Sequence, residues 1–147
     1  GALAAPAWSA LRPLLRQRAA RMLELGAHLD RLSARELHRL RIRTKRLRYA
    51  IELVGPLFDE KAVGRSARRL AELQDALGHL NDLTTADTQL AQLRERLGPA
   101  ASTSTTTTRA EGFVLGYAAR SASAGRDALA ESWRRAAGQA RFWEVGR

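Results

Sequence analysis

The chain has 147 residues, 45% of them apolar, no cysteine, 25 Lys and Arg against 15 Asp and Glu, and a formal net charge of +10. That length suits a single domain, 1–147, with enough apolar content for a core. The missing cysteines exclude disulfides, thiolate catalysis and Cys-ligated metal, and they fit a cytoplasmic setting. The positive excess asks for an acidic partner: nucleic acid, an anionic membrane or a free polyanion.

Aromatic residues make up only 5% of the chain, and the apolar residues are chiefly Leu and Ala. No stretch alternates with period two. The expected fold is therefore all-α, an antiparallel bundle of four to five helices. No apolar run approaches the ~20 residues of a membrane span. Residues 1–15 show no cationic segment ahead of an apolar core, so no secretory leader is read there.

In chain order, Leu11, Leu14, Leu15, Met22 and Leu25 predict a helix over 7–27, with Pro13 in its first turn or at a kink. Arg12, Arg16, Arg18 and Arg21 decorate it. Ser33-Ala34-Arg35-Glu36 is a capping box and opens a helix to Val54, where Gly55-Pro56 stops it. Asp59 caps a third helix to about Leu77, with Gly78 as terminator. Asn81 and Asp82 suit the start of a fourth, ending at Leu97 before Gly98-Pro99. Residues 99–108 read as a flexible Ser/Thr-rich linker. Thr108-Arg109-Ala110-Glu111 is a second capping box, opening a last helix to about Ala140. Gly112 and Gly116, one turn apart in it, mark either a close helix approach or a tolerated weakness.

The second helix carries the unusual chemistry. Between Arg31 and Arg48 there are eight Lys or Arg and one acid, Glu36. Like charges a turn apart cost a helix a few tenths of a kcal/mol per pair, so a polyanion that offsets the repulsion is the natural partner. Steps of about 100° put Leu40, Leu47, Ile51 and Val54 on one stripe, extended by Leu37 and Thr44. His38, Arg41, Lys45, Arg48 and Tyr49 fall on the opposite side, and Arg39, Arg43 and Arg46 on the flank. Arg presents a planar fork to phosphate oxygens and Lys a mobile point charge. Repeated every three or four residues, they track a linear polyanion better than one small ion. His38, once protonated, adds two donors, and Tyr49 one.

Arg65, Arg68 and Arg69 form a basic cluster on the third helix, whose apolar side is Val63, Ala67, Leu70, Leu73 and Leu77. Antiparallel packing at about 8–10 Å would set the two basic edges along a shared groove. Other classes fare less well. Tyr49 is the one aromatic in the basic stretch, a thin platform for stacking bases, so nucleic acid is the second choice. The apolar stripe is needed for a core, which argues against membrane binding. Of the acids only Glu52 stands close to the basic face, Asp75 and Asp82 sit at a helix end, and no Walker loop is present. No catalytic residue, metal site or cofactor is expected. His28 and His79 read as surface histidines.

The pattern His38-x-x-Arg41-x-x-x-Lys45-Arg46-Leu47-Arg48-Tyr49, followed by Leu73-Gln74-Asp75-x-Leu77-Gly78-x-Leu80-Asn81-Asp82, resembles the CHAD family, the conserved histidine α-helical domain. Trp133 and Phe142-Trp143 look like that family's C-terminal end, so the resemblance runs roughly over 12–144. It implies an all-helical, non-catalytic binder of inorganic polyphosphate, found at polyphosphate granules or beside a triphosphate-tunnel domain as an accessory to a triphosphate-processing enzyme. The motif positions that would line its cationic cavity are His38, Arg41, Lys45, Arg48 and Tyr49. Arg65, Arg68 and Arg69 rest on helix geometry instead. Complete members resemble two related helical halves. This chain carries one motif and looks like the C-terminal half, so a missing N-terminal half or a homodimer would supply the second cationic wall.

Overall fold

The computed structural model describes residues 4–97 and 105–145. The helices are α1 (Ala4–Gly26), α2 (Ala34–Val54), α3 (Glu60–Leu97), α4 (Thr105–Gln139) and the single turn α5 (Phe142–Val145), with 3₁₀ turns at Leu29–Arg31 and Gly55–Leu57. No strand occurs among the described residues, and the expected all-α bundle is what forms.

Local chemistry sets the starts and stops. Ser33 Oγ accepts from the Glu36 amide, and the Glu36 carboxylate accepts from the Ser33 amide at 2.9 Å, so the predicted capping box opens α2. Gly55-Pro56 ends it in a 3₁₀ turn. Asp59 caps α3 by accepting from the Ala62 amide at 2.9 Å.

Each helix packs antiparallel on the next. Arg18 reaches Arg46 across α1–α2. The Arg41 guanidinium lies beside Gly78 and Val63 beside Gly55 across α2–α3. Ser66 donates to the Gln139 carbonyl across α3–α4 at 3.1 Å. The ring closes back on α1. Gly26 lies so close to the Trp133 indole of α4 that a methyl group there would displace it, and Arg16 pairs with Glu144 of α5 at 2.8 Å. Inside sit Leu15 and Met22, then Leu40, Leu47, Ile51 and Val54, then Leu70, Leu73, Leu77 and Leu80, with Leu129 and Trp143 closing the core.

Three boundaries differ from expectation. Gly78 does not terminate a helix, and Asn81 and Asp82 do not start one, because α3 runs unbroken for 38 residues. A glycine inside a helix costs about 1 kcal/mol, and the burial of Leu73, Leu77 and Leu80 on both sides outweighs that. Beyond them, Thr84, Thr85 and Thr88 turn their hydroxyls back onto carbonyls one turn earlier, at 2.9–3.0 Å, so polar residues continue the helix. Second, α4 begins at Thr105, so the helix already passes through 108 and the second capping box opens nothing. The rest of the expected linker, 99–104, lies outside the described residues. Third, α1 begins at Ala4, which puts Pro13 past the first turn. In α4, Gly112 and Gly116 have nothing near them. The close approach is at Gly125, buried against Leu80 and Leu83.

At ~1.5 Å per residue α3 is about 57 Å long, nearly twice α2. Its second half therefore outruns the bundle, with the first half of α4 beside it. On this hairpin Leu93, Phe113, Leu115 and Tyr117 are exposed, Phe113 by 77%.

Replacing Leu47, wholly buried, with Ala is expected to lower the unfolding free energy by about 2–5 kcal/mol, against at most about 0.5 kcal/mol for Leu53→Ala, at an exposed position of the same helix. Urea unfolding at neutral pH reads both. The capping hydrogen bonds from Ser33, and then the nearby Arg39 charge, hold the Glu36 carboxyl below its usual range. A lowered carboxylate pKa adds stability that is complete above the ordinary value near 4.5 and lost as pH falls through the lower folded value. In Ser33→Ala, Glu36 should titrate closer to the ordinary value, as followed by carboxyl NMR.

Candidate cationic site

The inner stripe of α2 is Leu40, Thr44, Leu47, Ala50, Ile51 and Val54, all buried. The one hydroxyl among them is satisfied, since Thr44 donates to the Leu40 carbonyl at 2.9 Å. Everything else on α2 faces a neighbouring helix or solvent, and its cations divide between two edges.

One edge faces α3 and solvent. The Arg41 guanidinium lies over Gly78, its Nε 3.8 Å from where a β-carbon would stand, so the missing side chain leaves it room to lie flat against α3. Arg48, with 24% of its side chain exposed, pairs with Glu52 at 3.4 Å. Its charge and that of Lys45 flank the Tyr49 ring, 5.0 and 5.5 Å from the centroid. His38 and Lys45 are exposed, as is about half of Tyr49. The residues that the face analysis joined, His38, Arg41, Lys45, Arg48 and Tyr49, thus share one side of the helix. Along it His38, Arg41, Lys45 and Arg48 follow each other at about 4.5–6 Å. Near this edge the buried Oε1 of Gln74, one turn before Gly78 on α3, has no hydrogen-bond partner among the described residues, and Arg48 Nε has the Glu52 carboxylate at 3.4 Å without a hydrogen bond to it. A ligand that donates to that oxygen would relieve it.

The other edge faces α1. Arg43 donates to the Arg21 carbonyl, and Arg46 accepts at its own carbonyl from Arg18. Arg39 pairs with Glu36 at 3.5 Å. Arg18 and Arg21 look like ornament in the sequence. Their one-turn spacing matches that of Arg43 and Arg46, but only the pairing of α1 with α2 gives the match meaning.

The α3 cluster does not assemble as one group beside Arg41. At about 100° per residue, Arg69 points roughly opposite to Gly78, Arg65 some 140° from it and Arg68 about 80°. Arg69 is held by Glu72 at 2.9 Å. Arg68, exposed, is the member nearest the α2–α3 groove.

His28 and His79 are exposed, and Asp75 and Asp82 lie along the exposed side of α3 rather than at a helix end. Among the described residues no three His, Asp or Glu side chains gather in one place. No described helix is long and apolar enough to cross a membrane.

The family model of the CHAD domain matches residues 1–91, which carries the whole of α1, α2 and the motif-bearing part of α3. The C-terminal segment with Trp133 and Phe142-Trp143 lies beyond that match. No curated protein and no solved structure matches the chain.

Proposed function

The chain belongs to the CHAD family, and from that premise we propose that it binds inorganic polyphosphate along the α3-facing edge of α2, without catalysing a reaction on it. The observation that carries this reading is the row His38, Arg41, Lys45 and Arg48. Four cationic or cation-capable side chains stand on one side of one helix, and among the described residues the single carboxylate paired with them is Glu52. Polyphosphate offers about one charge per phosphate and no base or sugar to read, so a row of forks and point charges is sufficient recognition. The Lys45 and Arg48 heads both lie against the Tyr49 ring, which keeps the two charges together. Binding at polyphosphate granules in the cytoplasm, or beside a triphosphate-processing domain, follows from the same reading.

Nucleic acid is the second reading, because it shares the charge. Against it stands the single aromatic of the row, Tyr49, beside a surface otherwise built of cations. The combined variant Arg41→Ala, Lys45→Ala, Arg48→Ala should lose at least ten-fold in affinity for long-chain polyphosphate while its helical circular dichroism persists. A change of less than a few-fold would place the ligand elsewhere. Affinity of the unaltered chain should fall steeply with added salt through counterion release. At matched charge, polyphosphate should displace DNA more readily than DNA displaces polyphosphate.

The reading also carries a partner. One cationic edge makes an open wall, and the hairpin beyond the bundle exposes Leu93, Phe113, Leu115 and Tyr117. We take the partner to be a second helical half of the same type, in its simplest form a second copy of this chain. Light scattering should then return twice the mass of one chain, with or without polyphosphate. A single-chain mass in both states would remove the homodimer from this reading.

A further inference from the structure

The α1–α2 interface is tied by its own arginines. Arg43 of α2 donates from Nη1 to the carbonyl of Arg21, and Arg18 of α1 donates from Nη1 to the carbonyl of Arg46 at 3.1 Å. Each hydrogen bond thus ends on the residue that bears the next arginine. Arg18 and Arg21 stand one turn apart on one helix, as Arg43 and Arg46 do on the other. The four form a square about one helical turn long and one interhelix spacing wide.

This square opens onto a groove of about 510 Å³, which Gln17 and Glu24 also line. Among the described residues none of the four guanidinium groups is paired with a carboxylate, and Glu24 is the only acid in the lining. Four cations against one acid leave a concentrated positive charge. A guanidinium has five N–H donors, and Arg18 and Arg43 each commit one to a backbone carbonyl. The remaining donors are held in place by those anchors, which lowers the entropy lost when an anion orders them.

The shape differs from that of the other edge. The α3-facing side presents its charges in a row along one helix, whereas here they converge from two helices around one groove. We propose that the Arg18–Arg21–Arg43–Arg46 groove is a separate site for a compact, multiply charged phosphate, of the pyrophosphate class, rather than part of the track for a long chain. The inference stands on the α1–α2 geometry and does not depend on what the His38 edge binds.

Pyrophosphate is the probe, titrated calorimetrically at fixed ionic strength. With the opposite edge silenced by Arg41→Ala, Lys45→Ala, Arg48→Ala, pyrophosphate should still bind. With Arg18→Met and Arg21→Met instead, its affinity should fall ten-fold or more, while long-chain polyphosphate affinity changes by less than three-fold. A smaller loss in the Arg18/Arg21 variant, or loss of pyrophosphate binding in the triple variant, overturns the proposal. Should the Met variants fail to fold, arginine labelling of the unaltered chain with phenylglyoxal decides. Pyrophosphate should protect Arg18, Arg21, Arg43 and Arg46 ahead of Arg41 and Arg48, and equal protection of both sets would refute a separate site.

Discussion

Everything in this molecule depends on the narrow apolar stripe of α2. Leu40, Leu47, Ile51 and Val54 are buried, and most of the remaining residues of the helix are charged, with Ile42, Tyr49 and Leu53 exposed among them. Burying four such side chains contributes about 1.5–3 kcal/mol each, as an upper estimate. Repulsion between cations one turn apart costs a few tenths of a kcal/mol per pair. The stripe wins even with six cations in the twelve residues from His38 to Tyr49. Stability and charge display are therefore separated by face, and either can be altered without removing the other.

The course of α2 was legible because its signals are local. Ser33 and Glu36 are three residues apart and need no partner helix, and Gly55-Pro56 stops the helix by backbone chemistry alone. Gly78, Asn81 and Asp82 misled for the opposite reason. Their local preference for a break is real, but the core contacts of Leu73, Leu77 and Leu80 against α2 and α4 are non-local and larger. At Thr84, Thr85 and Thr88 the hydroxyls bond to their own helix, a choice that composition does not reveal.

The site was legible to the same depth. One helix period separates His38, Arg41, Lys45, Arg48 and Tyr49 from the core stripe, and the structure keeps them together. What the period leaves open is the direction of each neighbouring helix. Arg43 and Arg46 face α1, and the rotation of α3 turns Arg65 and Arg69 away from Gly78, so only Arg68 stays near the groove. The pairing of Arg69 with Glu72 and of Arg39 with Glu36 also reduces the free charge below what a count of cations suggests. A count gives total charge, and packing decides where that charge is available.

The two edges of α2 are about one helix diameter apart, ~10 Å, which sets how independently they act. Two unit charges at that distance interact in water by about 0.4 kcal/mol. With a screening length of ~8 Å at physiological ionic strength, roughly a third of that remains. An anion on one edge then barely alters affinity on the other. At about 0.01 M salt the screening length grows to about 30 Å and roughly 70% of the term returns for every charge pair. An anion of several charges on the Arg18–Arg43 side then lowers the positive potential that attracts phosphates to the Arg41–Arg48 side. The coupling is unfavourable and reciprocal. If both edges bind anions as proposed, they act as two separable surfaces in physiological salt and as two competing ones in dilute buffer.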